Sequence, residues 1–148
     1  MLAARRLTEA QLWAKLERKG YPDDEIRAAV AACKDAGFID DALFAELYVH
    51  AKMKPLGDAR LVAELVGRGV DREVAKRSVA SAELAQDERA KAALAKLLRA
   101  KPTLSYPGAA RALERHGFPA ALIYRVLREH AATHGPFAAL SGEECFAN

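Results

Sequence analysis

A chain of 148 residues, 51% of them hydrophobic, is long enough for one domain with a real core or for a short array of small units. Ala, Leu, Glu, Lys and Arg dominate and no long alternating β-branched run occurs, so the expected class is all-α and a β-rich fold is excluded. The net charge of +3 is too mild to name a partner, and no apolar run of about 18 residues exists to span a membrane.

The charge is unevenly spread. Residues 1–50 carry seven Lys/Arg against nine Asp/Glu, residues 51–100 eleven against seven, and the remainder five against four. Basicity therefore concentrates in the middle, a bias that suits either an acidic protein surface or nucleic-acid phosphates. Met1-Leu2-Ala3-Ala4-Arg5-Arg6 lacks the apolar core of a signal peptide. Cys33 and Cys145, the only cysteines, form no Cys-x-x-Cys pair and read as reduced thiols of a cytosolic protein.

A single unit recurs three times. Leu12, Leu16, Gly20, Tyr21 and Val30 share their spacing with Leu61, Leu65, Gly69, Val70 and Val79, and again with Ala109, Leu113, Gly117, Phe118 and Leu127. In each copy apolar residues stack on one helix face, a glycine closes the helix, and a second helical pattern follows. Such self-similarity marks a helical repeat, in which each unit buries its apolar face against the next.

In chain order, Thr8-Glu9-Ala10-Gln11 is a capping box, and it predicts a helix from Glu9 to Lys19 with Leu12, Trp13 and Leu16 on the buried side. Pro22 suits the first turn of the next helix, where Asp23, Asp24 and Glu25 face the positive end of its dipole. Ile26, Val30 and Cys33 form its inward stripe, so Cys33 reads as core rather than nucleophile. Gly37-Phe38-Ile39-Asp40-Asp41 then couples a helix stop, two buried apolar residues and an aspartate cap. The helix after it, to Met53, is expected to bury Phe44, Ala45, Tyr48 and Val49.

At this point a family resemblance becomes specific. Arg6-Leu7-Thr8 through Glu17-Arg18-Lys19-Gly20-Tyr21, then Gly37 through Ala45, then Lys54, Gly57, Arg60 and Glu64-Leu65 together resemble the RecX family. The resemblance implies a bacterial, cytoplasmic regulator of the RecA recombinase, built from tandem three-helix repeats in an elongated, curved array. It implies binding to the RecA–DNA filament with inhibition of its recombinase, ATPase and co-protease activities, and no cofactor. It leaves open weak direct binding of single- or double-stranded DNA, and nothing in it demands more than a monomer. On this phasing, repeat one spans 1–36 with an abbreviated first helix, repeat two spans 41–83, repeat three spans 86–133, and 135–148 is a mobile tail.

Further along, Asp58 is placed to cap the helix that bears Arg60, Glu64 and Arg68, and Asp71 caps the helix whose outer face carries Arg72 and Lys76. Asp87 is expected to cap the long helix that opens repeat three. That helix sets Ala90, Leu94, Leu97 and Leu98 on one side, with Arg89, Lys96 and Arg99 as an outward basic stripe. Ser105 follows as a cap, Arg111 and Arg115 lie one turn apart, and His116 stands where the resemblance would place an arginine. Leu122, Ile123, Val126 and Leu127 make the last core stripe.

Several patterns imitate sites without completing one. His130 and His134 are one turn apart but lack a third metal ligand, and the carboxylates mostly sit in first helical turns, where the dipole accounts for them. No Gly-rich phosphate loop or nucleophile elbow occurs, so an enzyme is not expected. A helix-turn-helix that reads duplex DNA is the competing reading. It is opposed by Asp23, Asp24, Glu25, Asp71 and Glu73 at the helix starts that would meet phosphate. A generic helical adaptor for another protein is the second alternative. The candidate contacts are Lys52, Lys54, Arg60, Arg68, Arg72, Lys76, Arg89, Lys96, Arg99, Arg111 and Arg115.

Overall fold

The Thr8 capping box forms as its spacing predicts. In the computed structural model, which describes residues 6–52 and 55–137, the Gln11 amide donates to Thr8 Oγ1 at 3.1 Å, and the Gln11 side chain accepts from the Thr8 N–H at 3.1 Å. The fully buried Thr8 hydroxyl also donates to the Arg68 carbonyl at 2.6 Å, which ties the first helix to a turn far along the chain. Residues 1–5 of the abbreviated first helix of repeat one, the expected end of α3 at Met53, Lys54, Cys145 and the tail beyond Phe137 fall outside the described residues.

Among the described residues the elements are α1 (Glu9–Arg18), α2 (Asp23–Asp35), α3 (Asp41–Lys52), α4 (Asp58–Gly67), α5 (Arg72–Ala80), α6 (Gln86–Ala100), α7 (Tyr106–Arg115) and α8 (Ala120–His134). The fold is an all-α helical repeat. Five helix ends share a cause: Gly20, Gly37, Gly69, Gly117 and Gly135 take positive φ, which other residues adopt only at a steric cost, whereas α5 and α6 are capped by Ser81 and Lys101 at negative φ. The N-termini are more varied. Asp71 and Ser105 cap α5 and α7 through their side chains, and Asp40 accepts from the Leu43 amide at 3.1 Å.

Several local expectations are corrected. Asp87 does not cap α6: the cap position is Ala85, and the Asp87 carboxylate instead pairs with Lys91 at 2.9 Å and Arg125 at 2.6 Å. Pro22 stands at the cap of α2 rather than within its first turn. Asp58 is the first residue of α4, with its carboxylate turned to Arg89. Phe38 is 61% exposed while its neighbour Ile39 is buried, so only one of that apolar pair enters a core. Helix α5 stops at Ala80, short of residue 83.

The chain divides into two compact units. One comprises Met1–Lys52 and Leu61–Glu83, the other Met53–Arg60 and Leu84–Asn148. In the first, α1 packs on α2 and α3 packs on α5, with Ile26, Val30, Ala45, Val49, Leu61, Leu65, Val70, Ala75 and Val79 buried. In the second, α6, α7 and α8 pack on one another around Ala90, Ala93, Leu94, Ala109, Leu113, Phe118, Leu122, Ile123, Val126 and Leu127. Alanines at the contact faces let helix axes approach closely, and the Leu and Ile side chains fill the remaining space. Phe137 extends this core, meeting Tyr106 edge-on at 5.5 Å.

Candidate partner interface

In the second unit, three of the candidate cations converge on His116. Arg60 donates to the Arg115 carbonyl at 2.8 Å, and its Cβ lies so close to Gly117 that a Cβ there would sit 2.3 Å away. Backbone packing of this kind fixes the stem of Arg60 and leaves its charged head exposed beside Arg115. Burial holds the His116 imidazole below its ordinary range, and the charges of Arg60, Arg115 and Lys96 push it the same way. The ring is therefore neutral at pH 7, and its buried Nδ1 has no hydrogen-bond partner in the structure. Lys96 and Arg99 are exposed on α6, and Arg111 on α7 is exposed with its Nε directed at the Pro107 carbonyl, 3.4 Å away.

Arg89 is not part of an outward stripe. It is 1% exposed and donates to the Leu84 carbonyl at 3.0 Å, to the Leu56 carbonyl at 2.7 Å and to the Asp58 carboxylate. The Gln86 side chain adds a bond from the Asp58 N–H at 2.8 Å. A buried guanidinium with these donors satisfied stitches the segment around Leu56 and Asp58 to α6. Its role is internal, so the basic face of α6 is reduced to Lys96 and Arg99.

The first unit carries a second set. Arg68 lies over the Tyr48 ring at 4.9 Å, and the Tyr48 hydroxyl donates to the Glu64 carboxylate. Burial and that carboxylate raise the phenol above its usual pKa, with Arg68 opposing. Arg72 and Lys76 are exposed one turn apart on α5, where Lys76 also approaches Glu73 at 3.6 Å. Lys52 is exposed at the end of α3, and Lys54 lies outside the described residues.

Two networks escaped the sequence reading. Tyr48–Glu64–Arg68 joins α3 to the α4 end, and Asp87–Lys91–Glu129–Arg125 joins α6 to α8. The only prior signal for them is i, i+4 spacing within α4, between Glu64 and Arg68, and within α6, between Asp87 and Lys91. No group of three or more metal-ligating side chains is assembled among the described residues. His130 and His134 stack on each other at 4.4 Å, with His130 also 5.3 Å from Phe137.

Comparison with known proteins identifies the family. The family model described as the first three-helix domain of RecX matches residues 1–33, and the model of the second three-helix domain matches residues 40–78. A regulatory protein RecX from Thermobifida fusca is 36% identical over 135 residues, covering 86% of this chain and 73% of that one. The chain belongs to the RecX family. A second RecX, from Amycolatopsis mediterranei, is 32% identical over 142 residues, covering 91% of this chain and 81% of its own length. The crystal structure of RecX from Lactobacillus salivarius superposes with a TM-score of 0.74 at 21% identity, over 86% of this chain and 88% of that one. At that identity the superposition establishes the fold alone. RecX proteins are named as regulatory proteins, and no helix among the described residues of this one is long and apolar enough to cross a membrane.

Proposed function

We propose that this RecX protein is a regulator that binds the RecA–DNA filament and chiefly inhibits its ATPase, recombinase and co-protease activities. Family membership carries this reading: more than 30% identity to proteins named regulatory protein RecX, over most of both chains. The protein acts by occupancy rather than by chemistry, as a cytoplasmic monomer of three tandem repeats, 1–36, 41–83 and 86–133. Its exposed cations, Arg60, Lys96, Arg99 and Arg115 in one unit and Arg72 and Lys76 in the other, suit a filament rich in phosphate and carboxylate. Direct DNA binding is weak, since acids occupy the first turns of α2 and α5, where phosphate contacts would otherwise form. The test is the RecA ATPase on single-stranded DNA, titrated with this protein. Hydrolysis is expected to fall as the protein is added; unchanged hydrolysis at every stoichiometry overturns the reading.

A further inference from the structure

The last turn of α8 holds two imidazoles side by side and fixes the tautomer of one of them. His130 and His134, one turn apart, stack with ring centroids 4.4 Å apart and planes 14° from parallel. Both line a cavity of about 320 Å³ between α6 and α8, together with the apolar Leu94, Ala95 and Val126. In sequence the pair is only a spacing. The fold adds the state of each ring.

Thr133 decides which nitrogen His134 presents. Its hydroxyl oxygen lies 3.0 Å from the Glu129 carbonyl, 3.2 Å from the His130 carbonyl and 2.8 Å from His134 Nδ1. Carbonyls only accept, so the single hydroxyl proton goes to them, and the oxygen serves Nδ1 as an acceptor. His134 Nδ1 therefore carries its proton and the lone pair sits on Nε2. Metal-binding histidines are commonly held in this way, by a polar group on the nitrogen that does not bind. His130 is prepared differently. Burial, and then the charge of His134, hold it below its ordinary range, so at pH 7 it is a neutral imidazole with a lone pair to offer. Lys91 also lines the cavity, but Asp87 at 2.9 Å and Glu129 at 3.6 Å balance its ammonium group.

We propose that His130 and His134 chelate a late first-row divalent ion, of the Zn²⁺, Ni²⁺ and Cu²⁺ class, whose remaining positions hold water. Imidazole suits these ions, whereas Mg²⁺ and Ca²⁺ prefer oxygen. Metal–nitrogen bonds of about 2.0–2.1 Å set two nitrogens on a tetrahedral ion roughly 3.4 Å apart. Rings stacked at 4.4 Å need only tilt toward each other to meet that span. The ion would staple the last turn of α8, ahead of the Gly135 cap. This role stands apart from the RecA reading, because its test contains no RecA.

The probe is Zn²⁺ itself, titrated into the untagged, isotope-labelled full chain. Saturable shifts at His130, Thr133 and His134 are expected, with imidazole nitrogen spectra placing the metal on His134 Nε2 and the proton on Nδ1. His130→Gln and His134→Gln should each abolish saturation with unchanged circular dichroism. Thr133→Val should weaken binding by about tenfold or more, and Thr133→Ser should restore it. The thermal midpoint should rise with Zn²⁺ in the parent and stay put in His134→Gln. Mg²⁺ at the same concentration should leave the spectrum unchanged. Shifts centred on His50 or His116, or equal affinity of the parent and both histidine variants, overturn the proposal. So do metal on His134 Nδ1, a Thr133→Val variant as tight as the parent, and an equal response to Mg²⁺.

Discussion

Gly57 and Gly117 meet backbone to backbone. The Gly57 N–H donates to the His116 carbonyl at 2.8 Å, and a Cβ built on Gly57 would lie 2.3 Å from the Gly117 carbonyl oxygen. Gly117, at φ +91, is pressed from the other side by Arg60. Glycine is required there twice, for conformation and for space. Gly20, at φ +89, has nothing within 4 Å of its would-be Cβ and is required for conformation alone. Gly20→Ala should therefore cost about 1–2 kcal/mol, and Gly117→Ala about 3 kcal/mol or more. Chemical denaturation of the two variants checks the order; equal costs would show that the close approach is not felt.

Arg89 supplies the second prediction. Arg89→Ala leaves the carbonyls of Leu56 and Leu84 and the Asp58 carboxylate without their donor. The loss should be about 3 kcal/mol, at the low end for a broken buried pair because the Asp58 side chain is 42% exposed. Hydrogen exchange should show the loosening in α6. A variant as stable as the parent would return Arg89 to the surface set.

The pH response follows from His116. Its folded pKa lies below the unfolded value of about 6.5, so between the two the unfolded chain holds more protons. Stability is fully present above about pH 6.5, is lost as pH falls toward the folded value, and then levels off. His130 is depressed too, by burial and by the charge of His134, and adds to the same window. His116→Gln should shallow the dependence without removing it. An NMR titration that places His116 at or above about 6.5 would contradict the arrangement around Arg60, Lys96 and Arg115.

Reversing Lys96 and Arg99 to Glu should weaken binding to RecA filaments and leave helicity intact, since both side chains are exposed. Filament co-sedimentation with the double variant reads this directly. Undiminished binding would remove this face of α6 from the interface.

The loss of Thr8 has two parts. Thr8→Val removes the cap on Gln11 and orphans the Arg68 carbonyl, which together should cost about 2 kcal/mol. Thermal unfolding of the variant checks it, with Thr8→Ser expected to recover most of the stability.

The helices were legible because their signals are local. Thr8 and Gln11 are three apart, Ser105 precedes Tyr106-Pro107, and the apolar stripes of α1, α2, α4 and α7 end at a glycine, so these markers lie within one or two turns of what they mark. Burial of particular side chains was less legible, because it depends on what another segment brings. Phe38 and Ile39 look alike in sequence and part company in space. Arg89 reads as outward beside Lys96, and its partners at Leu56 and Asp58 are supplied by a distant loop. One hint was present: Arg89 sits a turn before Ala93, which is itself buried. The gathering of Arg60, Lys96 and Arg115 around His116 likewise required the fold to be seen.

Alanine makes up much of the buried lining, with Ala45, Ala75, Ala90, Ala93, Ala109 and Ala112 all enclosed. A methyl group uncovers little apolar area when helices separate, and that area governs how strongly the enthalpy of melting grows with temperature. The stability of such layers should trace a shallow curve on warming, with a broad thermal transition and modest heat-capacity increment in calorimetry.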